Sequence, residues 1–156
     1  VRVVKALLEA FPEGASTAGQ CGDLPLHDAA QNNAGLDVVE ALLQAHTHAA
    51  AVANRDGDLP LHLAAQNSKA DVRVVKALLE AFPEGASTAN GEGDLPLHVA
   101  LKSEADVRVV KALLEAFPEG ASTANGEGDL PLHVALKSEA DVRVVKALLE
   151  AFPEGA

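Results

Sequence analysis

The sequence predicts an all-α tandem-repeat solenoid, and three observations carry that prediction. The hexapeptide Gly-Asp-Leu-Pro-Leu-His occurs four times, ending at His27, His62, His98 and His133, so consecutive copies lie 35, 36 and 35 residues apart. Residues 71–105 and 106–140 are identical, and residues 141–156 then repeat 106–121. Each unit carries two stretches of helical character, followed by a loop of small and turn-forming residues. A period in this range means helical units that cannot bury their apolar faces alone and stack to do so.

The elements follow in chain order. Residues 1–18 match 72–89, so Val1 to Phe11 reads as the second helix of a partial repeat. A first helix then opens at Pro25, and again at Pro60, Pro96 and Pro131. Proline suits the first helical position, where its missing N–H would have no partner anyway. The run Pro96-Leu97-His98-Val99-Ala100-Leu101-Lys102 is short, a helix of two turns. The second helix starts after Asp106, a good N-cap. Val107, Val110, Leu113, Leu114 and Phe117 recur at i, i+3, i+4 spacing and give it one apolar face. Arg108, Lys111 and Glu115 fall on the wet side. Pro118 with Gly120 stops the helix. The segment Ala121 to Asp129 contains Asn125-Gly126, a strong turn signal, and reads as a projecting hairpin-like loop. The array therefore has four first helices, five second helices and four loops. It forms one domain, with a partial repeat at 1–18 and repeats at about 19–53, 54–89, 90–124 and 125–156.

Composition narrows the function. The chain of 156 residues has 48% apolar residues and a formal net charge of −11. An acidic balance argues against nucleic acid and against anionic lipid, and it favours a basic partner. No apolar run has the length needed to span a membrane. Cys21 is the single cysteine, which excludes an intrachain disulfide and fits a reducing, cytoplasmic compartment. Met is absent and the chain starts in the middle of a repeat, so a segment of a longer protein is expected. Trp and Tyr, the usual interface anchors, are also absent.

The residues that define each unit resemble the ankyrin repeat. That family's pattern runs Gly-x-Thr-Pro-Leu-His-x-Ala, then a second helix with a Val-Val-x-x-Leu-Leu core, then a hairpin. The matching residues are Gly93, Pro96, Leu97, His98 and Ala100, then Val109, Val110, Leu113 and Leu114. Two departures stand out. The period is mostly 35 instead of the family's usual 33. The threonine before the proline is replaced by Leu24, Leu59, Leu95 and Leu130, which cannot cap the first helix through a hydroxyl. Asp23, Asp58, Asp94 and Asp129, one position earlier, are expected to take over part of that capping.

The resemblance implies a protein-binding module that uses its hairpin tips and the exposed side of its first helices. Carried over by position, the partner-facing residues are Gln20, Cys21, Asp23, Gln31 and Asn32 in the first unit. The second unit offers Arg55, Asp56, Asp58, Gln66 and Asn67. The third and fourth offer Glu92, Asp94, Lys102 and Ser103, then Glu127, Asp129, Lys137 and Ser138. These form an acidic stripe along a concave face, with amides and lysines behind it. The opposing reading is that they are merely solvated turn residues.

Other candidates are weaker. The repeated His27, His62, His98 and His133 belong to the scaffold, because no acid, base or nucleophile is placed beside them by the pattern. His46-Thr47-His48 lacks an evident third metal ligand. Cys21 has no partner for a redox role and is expected at the surface. Asn90-Gly91-Glu92-Gly93 and its copy at 125–128 lack the Lys-Ser/Thr of a phosphate-cradling loop, and their acids would repel phosphate. Neither end of the array looks like a polar cap, so both should expose apolar surface, which makes self-association an alternative. The expected function is non-enzymatic binding of another protein, with no cofactor, no metal, no nucleic acid and no membrane. The alternative is a structural or self-assembling scaffold, designed or consensus-like, with no specific natural partner.

Overall fold

The computed structural model describes residues 1–151, and over that span nine α-helices and four short 3₁₀ turns form with no strand. The second helix of the partial repeat is α1, Arg2–Ala10. The first helices are α2 (Pro25–Gln31), α4 (Pro60–Gln66), α6 (Pro96–Lys102) and α8 (Pro131–Lys137). The remaining second helices are α3 (Leu36–Ala45), α5 (Val72–Ala81), α7 (Val107–Ala116) and α9 (Val142–Ala151). Each first helix packs on its neighbours in the same layer, α2 on α4, α4 on α6 and α6 on α8. The second helices form a parallel layer, and α3, α5, α7 and α9 each also pack on the first helix of their own repeat. The result is a two-layer stack whose core runs the length of the array.

The sequence explains the local geometry. Asp71 and Asp106 cap α5 and α7 through their side chains, accepting from the N–H of Arg73 at 2.9 Å and Arg108 at 2.8 Å. Phe82 and Phe117 leave the helical region, because the residue before a proline is pushed to extended backbone. Pro83–Ser87 and Pro118–Ser122 then form a 3₁₀ turn each, so the helix does not simply stop, as the sequence implied, but tightens before the loop. In that turn Ser87 and Thr88 hydroxyls donate to the Glu84 carbonyl at 3.0 and 2.8 Å. The corresponding end of the last unit, Phe152 to Ala156, lies outside the described residues.

Burial follows position in the stack. Ala65, Ala100 and Ala135 are fully buried, and their small side chains let successive first helices approach closely. Val75, Val109, Val110, Leu78 and Leu113 fill the space between layers. The flanks stay open, as expected of units that resemble interior ones. Leu7 of α1 is 64% exposed, whereas Leu78, at the same place in an identical helix, is 1% exposed. Leu136 of α8 is 63% exposed against 1% for its copy Leu101.

The loops between repeats are hairpin-like without forming strands. The Asn90 N–H donates to the Asp94 carbonyl at 2.9 Å, and the Gly93 N–H to the Asn90 carbonyl at 3.0 Å. Gly93 takes φ +80°, a conformation that only glycine adopts freely. Neighbouring loops also touch through backbone. The Gly91 N–H donates to the Asp56 carbonyl at 2.9 Å, and the Arg55 N–H to the Cys21 carbonyl at 3.1 Å.

Candidate functional site

The loop tips and the outer sides of the first helices make one continuous face, and two ladders of hydrogen bonds organise it. The first ladder is built from the motif histidines. In each unit the leucine before the proline presents its backbone N–H to imidazole Nδ1: Leu24 to His27 and Leu59 to His62 at 3.0 Å, Leu95 to His98 and Leu130 to His133 at 3.1 Å. Nδ1 must therefore be the unprotonated nitrogen, and Nε2 carries the proton. Nε2 donates to the next loop, His27 to the Asp58 carbonyl at 3.2 Å, His62 to the Asp94 carbonyl at 3.2 Å and His98 to the Thr123 carbonyl at 3.1 Å. Burial lowers the pKa of His62 and His98 below the ordinary value of 6.5, with nearby Asp58 and Asp94 opposing the shift. Both ring nitrogens of these residues are thus committed to backbone. His133 keeps its own leucine contact but is exposed, since no further loop covers it among the described residues.

This corrects the expected capping role of Asp23, Asp58, Asp94 and Asp129. The residues capping the first helices are Leu24, Leu59, Leu95 and Leu130, and no aspartate side chain reaches the helix N–H groups. The histidine satisfies the leucine N–H instead. Leucine suffices at this position because the contact uses its backbone, not its side chain.

The aspartates form the second ladder. The carboxylate of each accepts from an asparagine one repeat further on: Asn54 Nδ2 to Asp23 at 2.8 Å, Asn90 Nδ2 to Asp58 at 2.8 Å and Asn125 Nδ2 to Asp94 at 2.9 Å. The asparagine oxygen closes its own loop, as Asn90 Oδ1 does by accepting from the N–H of Glu92 at 3.1 Å and Asp94 at 3.0 Å. Lys102 Nζ adds a charged donor to Asp94 at 2.6 Å, and Lys137 does the same for Asp129. The hydrogen bond from Lys137 is the main cause holding the Asp129 carboxyl below its usual range.

The sequence-derived face therefore divides. Gln20, Gln31, Asn32, Arg55, Asp56, Gln66, Glu92, Lys102, Glu127 and Lys137 are exposed. Asp23, Asp58, Asn67, Ser103, Asp129 and Ser138 are half-buried. Asp94 is 1% exposed and fully engaged, so it is not a tip residue of an acidic stripe as expected. The solvent-facing acids are Asp56, Glu92 and Glu127, each two positions before the motif aspartate in its loop. A polar groove of about 210 Å³ lies between two repeats, with Asp56, Glu92, Gln66 and Lys102 in its walls. Asn54, Asn90 and Asn125, which couple the repeats, are absent from the sequence-derived set. Their signal was the Asn opening each turn, which points to a loop but not to the aspartate it reaches a repeat away.

The isolated candidates stay apart from this face. His46 and His48 flank Thr47, whose hydroxyl lies 3.2 Å from His48 Nδ1, and no group of three metal-ligating side chains forms among the described residues. Cys21 is exposed in the first loop. No described helix is long and apolar enough to cross a membrane.

Against known proteins, a family model described as ankyrin repeats matches the chain in three overlapping copies, over residues 1–86, 26–123 and 61–155. No curated protein matches it.

Proposed function

From a chain that belongs to the ankyrin repeat family, whose repeats generally act as protein–protein interaction modules, we infer a non-enzymatic module that docks a basic protein segment across its loop tips and first helices. The observation that carries this reading is the placement of Asp56, Glu92 and Glu127. They are the exposed acids of successive loops, and Asp56 and Glu92 rim a polar groove that lies between two repeats. Lys102 and Lys137 are held chiefly on Asp94 and Asp129, with Lys102 also 3.8 Å from Glu127, which leaves Asp56 and Glu92 without an ion-pair partner among the described residues. The stacked loops hold the acids in place before binding, so little ordering entropy is lost on association. The motif aspartates and histidines set the spacing of that face without touching the partner.

The test is affinity capture from cell lysate by the wild type and by the Asp56→Lys, Glu92→Lys, Glu127→Lys triple variant, with circular dichroism to show that the variant folds. A basic protein retained by the wild type, lost by the folded variant and released by moderate salt supports the reading. Retention that is indifferent to both the variant and salt overturns it.

A second reading, a self-associating scaffold, is favoured by the open apolar flank. Leu7, Leu8 and Phe11 of α1 and its following turn line a groove of about 530 Å³ with Pro25, Ala29 and Leu42. It requires that the sedimentation coefficient rise with concentration and that Leu7→Lys abolish the rise. A concentration-independent monomer excludes it.

A further inference from the structure

We propose that Asn90-Gly91 and Asn125-Gly126 are self-modification sites, whose deamidation turns a transient unstacking of neighbouring loops into a lasting loss of contact between repeats. The chemistry needs only water. The backbone nitrogen of Gly91, having lost its proton to solvent base, attacks Asn90 Cγ. A succinimide ring forms, and the side-chain nitrogen leaves as ammonia after taking up a proton. One water then opens the ring to aspartate or isoaspartate. A bare glycine after the asparagine offers the least steric resistance to ring closure.

The structure supplies the glycine for a separate reason. A Cβ at Gly91 would collide with the Asp56 carbonyl, and one at Gly126 with the Glu92 carbonyl. Close stacking of the loops thus demands the residue that makes cyclisation easy. The stacked state also guards against the reaction. The Gly91 N–H is bonded to the Asp56 carbonyl at 2.9 Å. The Asn90 amide is held by Asp58, Glu92 and Asp94. At Asn90 ring closure must break both arrangements, and at Asn125 it must break the side-chain bonds to Asp94, Glu127 and Asp129, so it proceeds from the locally opened loop.

The product cannot restore what was opened. Asn90 Nδ2 sits 2.8 Å from an Asp58 carboxylate oxygen, and Asn125 Nδ2 sits 2.9 Å from one of Asp94. Deamidation replaces that donor with a second carboxylate, and two like charges at this distance oppose one another. Asn54 is an internal control. It makes the same bonds, to Asp23 and to the N–H groups of Asp56 and Asp58, but Arg55 follows it.

The experiment incubates the full chain in mildly alkaline buffer, with and without urea, and maps peptides by mass. The amide-to-carboxylate mass gain is expected at Asn90 and Asn125, not at Asn54, and faster in urea than in the native state. No gain in urea overturns the chemistry, and equal rates in the two conditions overturn the guarding role of the stack. The consequence is read from Asn90→Asp, expected to melt about 5 °C below wild type. The exchanged pair Asp58→Asn with Asn90→Asp restores a donor facing an acceptor and is expected to recover most of that loss. An Asn90→Asp protein that melts with the wild type, or an exchanged pair that recovers nothing, overturns the repulsion.

Discussion

Two side chains carry the residue-scale physics, the histidine of each motif and the aspartate four positions before it. A protonated imidazole would lose the leucine N–H that Nδ1 accepts, so the fold selects the neutral form of His62 and His98. Asp58 and Asp94 face His62 and Asp94 faces His98; burial outweighs these acids in both cases, and at His98 the Lys102 charge acts in the same direction as burial. The sign follows. Since the folded pKa lies below 6.5, the unfolded chain takes up protons first as pH falls. The stabilisation is complete above the unfolded value and is lost below it, toward the lower folded value. Urea midpoints should therefore fall between about pH 7 and pH 5, and a flat profile over that window would refute the neutral-imidazole ladder. Asp94 makes a second residue-scale prediction. Asp94→Ala leaves the buried Asn125 amide without its acceptor, a loss of about 1–3 kcal/mol in urea unfolding. Glu92→Ala, two residues away and solvated, should stay within about 0.5 kcal/mol of wild type.

At the scale of the element, the second helices are a natural experiment, because α1, α5, α7 and α9 share one sequence. Their caps and stops are local: an aspartate precedes the helix wherever one is present, and in α1, α5 and α7 a phenylalanine and proline follow it. Asp106→Ala should cost about 1 kcal/mol, as loss of a side-chain cap does. Packing is not local. Leu78→Ala should destabilise by about 2–5 kcal/mol, because it opens a cavity between layers. Leu7→Ala, the same change in the same helical sequence, should cost about 0.5 kcal/mol or less, since that side chain already faces solvent. Equal losses in the two variants would mean that α1 is covered in solution. The element scale also shows what could be seen beforehand. The i, i+3, i+4 pattern from Val107 to Phe117 fixed the helix and its apolar face. The 3₁₀ turn after Phe117 was missed, because proline and glycine announce an end to a helix without saying what geometry follows.

Across the whole molecule, stability is a sum of units and the junctions between them, with no single core. The central units are covered on both sides and the flanking helices on one. Amide exchange should therefore be slowest around Val75, Val109 and Val110 and fastest in α1, with the loops between. Uniform protection along the chain would contradict a one-dimensional stack. The net charge of −11 lies unevenly on this scaffold, because Asp71, Asp94, Asp106, Asp129 and Asp141 pair with Arg or Lys along the array, and Glu127 lies 3.8 Å from Lys102. What faces outward at the loop tips is the short series Asp56, Glu92 and Glu127, to which the proposed binding is assigned.

The sequence by itself determined the architecture: repeat length, helix starts at proline, helix ends at phenylalanine-proline, and the apolar stripe that makes stacking necessary. These are written in short-range spacing, and spacing survives in one dimension. Only the tertiary structure decided what each copy of a residue does. Leu7 and Leu78, His133 and His98, and Leu136 and Leu101 occupy the same motif positions yet differ from exposed to buried. Buried Asp94 joins an exposed lysine and a buried asparagine, while Asp23 bonds the asparagine of the next loop. Burial and hydrogen-bond partners are properties of the neighbouring unit, and a motif cannot specify which neighbour it will have.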